Sequence, residues 1–253
     1  MSAVKFELDL PSGSEMNVKI QPEAERLCQG DNLSRQEFIR IWEQLPNLKQ
    51  AELIDGVVYM PSPIGLPHGT MSSLVGFWLS TYKFAMPFCQ SASNVTWFMQ
   101  DSAPQPDLFL RLLPEFGGQS GSDKKFPTGA PELAVEIASS SVAYDLHQKL
   151  NLYREAGVQE YLVVVLRKPE IRWYRRVENR FELQVPDADR INRSVVFPGL
   201  WLNETALMAD DMSAVIATLQ EGLRSPEHAE FVARLKAHAA KQSPEPGSGP
   251  AQS

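Results

Sequence analysis

The chain has 253 residues, of which 43% are hydrophobic, and its 24 basic and 31 acidic side chains give a net charge of −7. This length suits one domain with extensions, or at most two small domains, while the acidic balance argues against a constitutive, sequence-blind nucleic-acid binder. Two distant cysteines exclude a disulfide framework or a zinc cluster. The longest apolar runs fall far short of the roughly 20 residues of a membrane span, and no signal-peptide pattern opens the chain. A cytoplasmic protein without a membrane partner is therefore expected.

The charge is unevenly distributed along the sequence. Residues 124–180 contain ten Lys or Arg and seven Asp or Glu, a surplus of three positive charges within an acidic chain. This stretch could contact an anionic partner, or it could form an ordinary surface of mixed charge, and both alternatives stay open.

The predicted organisation has one folded domain between two terminal segments. Residues 1–32 are acidic without a clear period and predict a flexible or loosely docked arm, whereas 242–253 carry no large apolar residue and predict a disordered tail. Residues 33–201 are expected to form the domain, and residues 202–241 a helical extension.

The domain begins with a helix, because Ser34 and Glu37 form a capping box ahead of apolar residues at helical spacing. A hairpin around Asp55-Gly56 and a buried helix from His68 to Ala85 follow. The remaining predicted elements are strands at 95–99, 107–112, 132–138 and 160–166, a polar loop at 117–129, a helix at 143–156, a hairpin at 170–185, and helices at 212–223 and 229–240. The strand–helix–strand order in the middle predicts a partly parallel sheet, and the fold class is α/β.

Two strands carry the acidic residues of a candidate site. Asp107 stands at the mouth of an apolar strand, where a carboxylate can project into a cleft or simply cap a turn. Glu136 lies inside a strand that otherwise belongs to the core, where a carboxylate is costly unless it is paired or binds metal. Strand alternation could instead turn Glu136 to solvent, on the same side as Ala134 and Ala138.

Further candidates come from the helix after Glu136 and from the first hairpin. Lys149 lies at the border of the buried helix face, able to reach the sheet end or to pair with Asp145 at i,i+4 spacing. Glu52 faces either the cleft or a sheet edge, and His68 has the features of a structural histidine. Two strand carboxylates with water, and with the backbone oxygen of Ile137, suit Mg²⁺ or Mn²⁺.

These residues, in this order and spacing, resemble the Uma-two family of restriction endonuclease-like proteins, within the PD-(D/E)XK nuclease superfamily. The shared motifs, which run from about Phe38 to Trp201, are Glu52-Leu53-Ile54-Asp55-Gly56, Pro61-Ser62-Pro63 with His68, Pro106-Asp107, Val135-Glu136-Ile137, Asp145 with Lys149 and Tyr153, Gly157-Val158, Glu160-Tyr161, and Phe197-Pro198-Gly199-Leu200-Trp201.

The resemblance implies a restriction-endonuclease-like core, a mixed central sheet flanked by helices, with Asp107 and Glu136 as metal ligands and Glu52 in support. Ala138 stands where the superfamily has a lysine, so Lys149 on the next helix is the natural substitute. Leu162 and Val165 replace the usual Trp and Asp of the following strand.

The sequence thus predicts a metal-dependent endonuclease that hydrolyses phosphodiester bonds of nucleic acid, with DNA as the expected substrate. Its catalytic residues would be Asp107, Glu136, Lys149 and Glu52, and a homodimer would help it to cut both strands. Lys124, Lys125, Arg172 and Arg176 are candidates for contacts to the nucleic-acid backbone. The alternative is a non-catalytic module of the same fold that binds nucleic acid or protein.

Overall fold

The computed structural model describes residues 26–139 and 141–242. Its strands are β1 (Glu52–Ile54), β2 (Val57–Tyr59), β3 (Cys89–Ser93), β4 (Leu108–Leu112), β5 (Gly121–Asp123), β6 (Phe126–Thr128), β7 (Leu133–Ala138), β8 (Glu160–Val165), β9 (Glu170–Val177), β10 (Arg180–Leu183), β11 (Ile191–Arg193) and β12 (Trp201–Asn203). Its helices are α1 (Arg35–Trp42), α2 (Leu66–Ala85), α3 (Val142–Tyr144), α4 (Leu150–Ala156), α5 (Glu204–Met208), α6 (Met212–Leu223) and α7 (Pro226–Gln242), with a 3₁₀ turn at Pro114–Phe116 and a π-helical segment at Asp145–Lys149.

A six-stranded mixed sheet of order β10-β9-β8-β7-β4-β3 forms the centre of the molecule. β7 and β8 run parallel, and the other neighbouring pairs run antiparallel. Every residue of β7 and β8 is buried, as central strands covered on both faces require. The α/β class and the mixed central sheet with flanking helices are therefore confirmed.

Alternate residues of the sheet enter two separate hydrophobic clusters. Leu133 and Val135 of β7 pack with α2 and the C-terminal helices on one face. Ala134 and Ala138 of the same strand pack with α4 on the other face. Glu136 has the same parity as these alanines, so its side chain points toward the helical connection between β7 and β8.

The capping box and the hairpin turn predicted for the start of the domain are both present. Ser34 accepts a hydrogen bond from the backbone of Glu37, whose carboxylate bonds back to the Ser34 N–H, so the capping box is present. Asp55 and Gly56 both have positive φ, at 50° and 80°, and they turn the chain between β1 and β2.

The residues ahead of this domain are docked on it as far as they are described. Leu27 is buried, Gly30 donates its N–H to the Val58 carbonyl, and Val58 donates back to the Asp31 carbonyl. Of the two alternatives predicted for the arm, residues 26–32 agree with docking and not with flexibility, and residues 1–25 lie outside the described part of the chain. The predicted tail at 242–253 also lies outside it, apart from the helical Gln242.

Several predicted boundaries were wrong for identifiable reasons. Residues 95–99 form no strand, because Trp97, Phe98 and Met99 donate to three unrelated carbonyls, those of Pro104, Pro127 and Ser102. The polar loop at 117–129 contains the β5–β6 hairpin. β3 was missed because its small polar residues have weak strand propensity, which its full pairing with β4 overrides. The short β11–β12 pair was also missed.

The helices predicted as an extension share the core of the sheet. Val215 and Leu219 of α6 are fully buried in the cluster that contains α2. α6 also crosses the turn before β12 at very short range, since a Cβ at Gly222 would lie 2.3 Å from the Gly199 carbonyl oxygen. Residues 202–242 therefore complete the fold. Among the helices that the structure describes, none combines the length and apolar composition that a bilayer crossing demands.

Candidate active site

A cleft of about 630 Å³ opens at the end of the sheet where β7 finishes. The walls come from the β1–β2 hairpin, the N-terminal turn of α2, the approach to β4, the C-terminal end of β7 and the segment 141–149. All four predicted catalytic residues line it, namely Glu52, Asp107, Glu136 and Lys149, together with Ile137. The structure thus brings together residues that are up to 97 positions apart in the sequence.

Glu136 is almost fully enclosed within the cleft, with only 3% of its surface exposed. Its Oε1 accepts hydrogen bonds from the Lys149 ammonium at 2.8 Å and from the Tyr153 hydroxyl at 2.7 Å. The alternative in which strand alternation turns Glu136 to solvent is therefore wrong. The face that it shares with two alanines is covered by the following helix, which supplies both of its partners.

Lys149 joins two carboxylates. Its ammonium lies 2.8 Å from Glu136 Oε1 and 3.0 Å from Glu52 Oε1, and both the cation and these partners are almost fully buried. The alternative i,i+4 pair with Asp145 is absent from the ion pairs of the described residues. The segment from Asp145 to Lys149 is π-helical, and its wider turn removes the alignment of residues four apart.

Glu52 is held by the chain that approaches β4. Its Oε1 accepts the Gln105 N–H at 2.6 Å in addition to its contact with Lys149. The Tyr144 hydroxyl lies 3.5 Å from its other oxygen, and the Tyr144 ring lies 5.4 Å from the Lys149 nitrogen. The Glu52 side chain therefore faces the cleft, and the sheet-edge alternative is wrong.

Asp107 bonds across the cleft and does not cap its own turn. Its Oδ2 accepts the backbone N–H of Ile137 at 2.7 Å, and it lies 3.2 Å from His68 Nε2 at the start of α2. His68, which sequence reasoning treated as structural, is therefore part of this site. Its other ring nitrogen is buried and has no hydrogen-bond partner among the residues that the structure describes. The sequence signal that could have placed His68 there is the Pro67-His68 pair, because a proline in the first turn marks the start of a helix.

Burial and neighbouring charges oppose one another at these groups. Burial raises the pKa of Glu136 well above its ordinary value, against the Lys149 ammonium and with the help of the Asp107 carboxylate. Burial lowers the pKa of Lys149, but Glu136 and Glu52 outweigh it and raise that pKa. Although burial raises the pKa of Asp107, the bonds from His68 and the Ile137 N–H bring it below its usual range.

The residues present offer oxygen donors of the kind that a hard divalent cation prefers. They would not hold the ion by side chains alone, because the part of the chain that the structure describes has no group of three or more His, Cys, Asp or Glu side chains arranged around a metal position. Among the hydrogen bonds of the described residues, those of Asp107 fall on Oδ2 and those of Glu136 on Oε1, which leaves Oδ1 and Oε2 unused. Two such oxygens with several retained waters match the preference of Mg²⁺.

The four predicted backbone-contact residues lie outside the cleft. Lys124 and Lys125 occupy the exposed turn of the β5–β6 hairpin. Arg172 is held by the Glu170 carboxylate, and Arg176 donates to the Arg154 carbonyl and to Asn179. Sequence reasoning also missed the role of Tyr144, because its helical pattern does not distinguish a core tyrosine from one that lines a cleft.

The geometry agrees with the comparisons to known proteins. The sequence profile of the Uma2 family, described as "Putative restriction endonuclease", matches residues 35–205. A solved structure described as a putative nuclease belonging to DUF820, from Anabaena variabilis, is similar with a TM-score of 0.55 and 16% identity, over 70% of this chain and 98% of that one. No curated protein matches the chain. The match to the profile spans more than half of the sequence, and the chain belongs to the Uma2 family.

Proposed function

We propose that this protein is a metal-dependent endonuclease that hydrolyses phosphodiester bonds of nucleic acid, with DNA as the expected substrate. The observation that supports it best is the convergence of Asp107, Glu136 and Lys149 in one cleft. The two acids each present a carboxylate oxygen that is not engaged in a hydrogen bond within the described residues. A family of restriction endonuclease-like proteins is the setting in which such a site is expected.

Asp107, Glu136 and the carbonyl of Ile137 would hold Mg²⁺ or Mn²⁺. The carbonyl is included because a residue in an extended strand directs its N–H and C=O to the same edge, and the Ile137 N–H already meets Asp107. When bound, the ion lowers the pKa of a coordinated water and offsets negative charge on the phosphate.

The other residues orient these groups and supply charge. His68 and the Ile137 N–H fix one oxygen of Asp107, and Tyr153 fixes one oxygen of Glu136. The Lys149 ammonium, held in place by Glu52, stabilises the negative charge that develops on the phosphate oxygens. This electrostatic role needs the lysine protonated, which the adjacent carboxylates favour.

Cleavage of plasmid DNA in the presence of Mg²⁺ or Mn²⁺ tests the proposal. Asp107→Asn and Glu136→Gln should each reduce the rate by at least about 100-fold, the scale of losing one preorganised charge stabiliser. Glu170→Gln is the matched control, because that acid lies on β9 outside the cleft. Undiminished cleavage by the Asp107 variant would remove the proposal.

A metal titration separates the enzyme from a non-catalytic binding module of the same fold. Calorimetry should show Mn²⁺ binding that disappears in Glu136→Gln, whereas a module without a metal site would show none in the wild type. Homodimerisation and a cytoplasmic location stay predictions, which sedimentation velocity and cell fractionation would check.

A further inference from the structure

A second cavity of about 450 Å³ adjoins the cleft. It lies between the C-terminal end of α1, with the loop that follows it, and the start of β6. Asn94 and Gln105 line both cavities, so the two are adjacent and share a wall. Nothing in the proposed chemistry uses the second cavity.

The two cavities differ in charge. Among the described residues that line the cleft, Lys149 is the only Lys or Arg, and it is already bound to two carboxylates. The second cavity has two exposed lysines at its rim, Lys49 and Lys125, and one acid, Glu43. Of the two cavities, only the second has lysines among its described lining residues that are not bound to carboxylates, so a second phosphate of a substrate would find its cations there.

The floor of the second cavity is apolar and partly aromatic. Trp42 from α1 and Phe126 from β6 line it, with Leu45 and Leu48 from the loop after α1. The Trp42 indole is held by a 2.8 Å hydrogen bond to the Leu48 carbonyl. Rigid aromatic surfaces beside lysines are the combination that binds unpaired nucleotides, because bases stack while cations meet the phosphates.

The wall shared by the two cavities is also fixed. The Gln105 side chain donates to Thr96 at 2.7 Å, and its backbone N–H donates to Glu52 at 2.6 Å. By contrast, the lysines make contacts that a phosphate can replace. Lys49 donates to the Pro46 carbonyl, and the Lys125 nitrogen lies 5.1 Å from the Phe126 ring centroid.

We propose that the second cavity binds a single strand of nucleic acid next to the phosphodiester that occupies the cleft. A base lies against Trp42 and Phe126, and a phosphate lies between Lys49 and Lys125. The proposal rests on the proposed function for the identity of the strand. A single strand is specified because the bases of a duplex are stacked on one another and cannot cover an apolar floor.

Fluorescence anisotropy with a labelled single strand of about ten nucleotides tests the proposal in EDTA, where no cleavage occurs. The double variant Lys49→Gln/Lys125→Gln loses two phosphate contacts. The plot of the logarithm of the association constant against the logarithm of the salt concentration should therefore become less steep by about 1.4, which corresponds to roughly 20-fold weaker binding at about 0.1 M salt. Lys83→Gln/Lys168→Gln is the matched control, since those lysines line neither cavity. A thermal unfolding measurement on both double variants checks that they are folded.

The outcomes separate this proposal from the nuclease proposal. Weaker binding in the Lys49/Lys125 variant alone supports the subsite, even if the wild type proves to have no cleavage activity. Equal losses in both double variants, or no loss in either, overturn it while leaving Mg²⁺-dependent cleavage untouched. A duplex of the same sequence that binds as tightly as the single strand also overturns it.

Discussion

Lys149 illustrates how the site depends on balanced charge at the scale of single residues. The residue is 4% exposed, and its ammonium lies within 3.0 Å of two carboxylates that are themselves buried. Removing one member of such a group leaves an uncompensated charge out of water, which costs more than the group contributes while it is complete. Catalytic and structural effects of Lys149 variants must therefore be separated.

Lys149→Met should reduce the free energy of unfolding by about 3–5 kcal/mol, because Glu136 and Glu52 then stay buried without a cation. Adding Glu136→Gln should recover part of this loss, since a neutral amide is less costly to bury. Urea unfolding of both variants measures the two values. Additive losses in the double variant would show that the two residues are not coupled.

Asp145 makes the free energy of unfolding depend on pH, and the sign of this dependence follows from the direction of its pKa shift. Burial raises its pKa from 3.8 to about 6, against the Lys149 ammonium and the Ser141 hydroxyl bond. The folded state therefore binds the proton more tightly, and this stabilisation is lost as the pH rises from about 4 to about 6. The difference between the two pKa values, 3.8 and about 6, corresponds to about 3 kcal/mol of folding stability.

Asp145→Asn should remove this dependence, since an amide does not titrate. Relative to that variant, the wild type should lose about 3 kcal/mol of stability between about pH 4 and about pH 7 in EDTA, measured by urea unfolding. Asp189→Asn, in an exposed turn, serves as the control. A constant difference between wild type and Asp145→Asn across this range would contradict the assigned pKa.

Among the elements, those with strong local signals were predictable. The capping box of α1, the Asp55-Gly56 turn and the apolar strand β8 each carry their structure in a few adjacent residues. β3 carries no such signal, because only its pairing with β4 makes it a strand. The π-helical segment at 145–149 was equally invisible, and it decides that Lys149 turns to Glu136 and away from Asp145. The sequence could therefore predict which four residues meet in the cleft, but not that His68 and Tyr144 join them or which hydrogen bonds they make.

β8 begins with an acid whose function is structural. Glu160 is fully buried, and it accepts bonds from the Ser194 hydroxyl at 2.6 Å and the Val195 N–H at 2.7 Å. These bonds hold the turn that places Phe197 in the core. These contacts account for the buried position of Glu160 at the start of β8 by folding alone.

Glu160→Ala should cost about 2–4 kcal/mol, because it leaves the buried Ser194 hydroxyl and the partly buried Val195 N–H without their acceptor. Glu160→Gln should cost less, since the amide oxygen can still accept the Val195 N–H. Burial raises the pKa of Glu160, so the wild type should lose stability relative to Glu160→Gln as the pH rises above the ordinary carboxyl range. Chemical unfolding at several pH values measures this, and the opposite trend would contradict it.

At the scale of the whole molecule, the contact between Gly199 and Gly222 joins the C-terminal helices to the turn before β12. Gly222→Ala should destabilise the fold by several kcal/mol, because its Cβ would lie 2.3 Å from a backbone oxygen that cannot move independently. Gly69→Ala is a matched control on α2, where an added Cβ meets nothing within 4 Å. That change should be neutral or stabilising by up to about 1 kcal/mol, and thermal unfolding compares the two.

This close contact has a practical consequence for anyone who shortens the gene. The family profile ends at residue 205, so the matched segment is a tempting unit to express alone. Cutting there would strip Val215, Leu219 and Phe231 from the apolar side of α2. The truncated protein would expose this hydrophobic surface to solvent and should aggregate, whereas a version that runs through Gln242 keeps the surface covered.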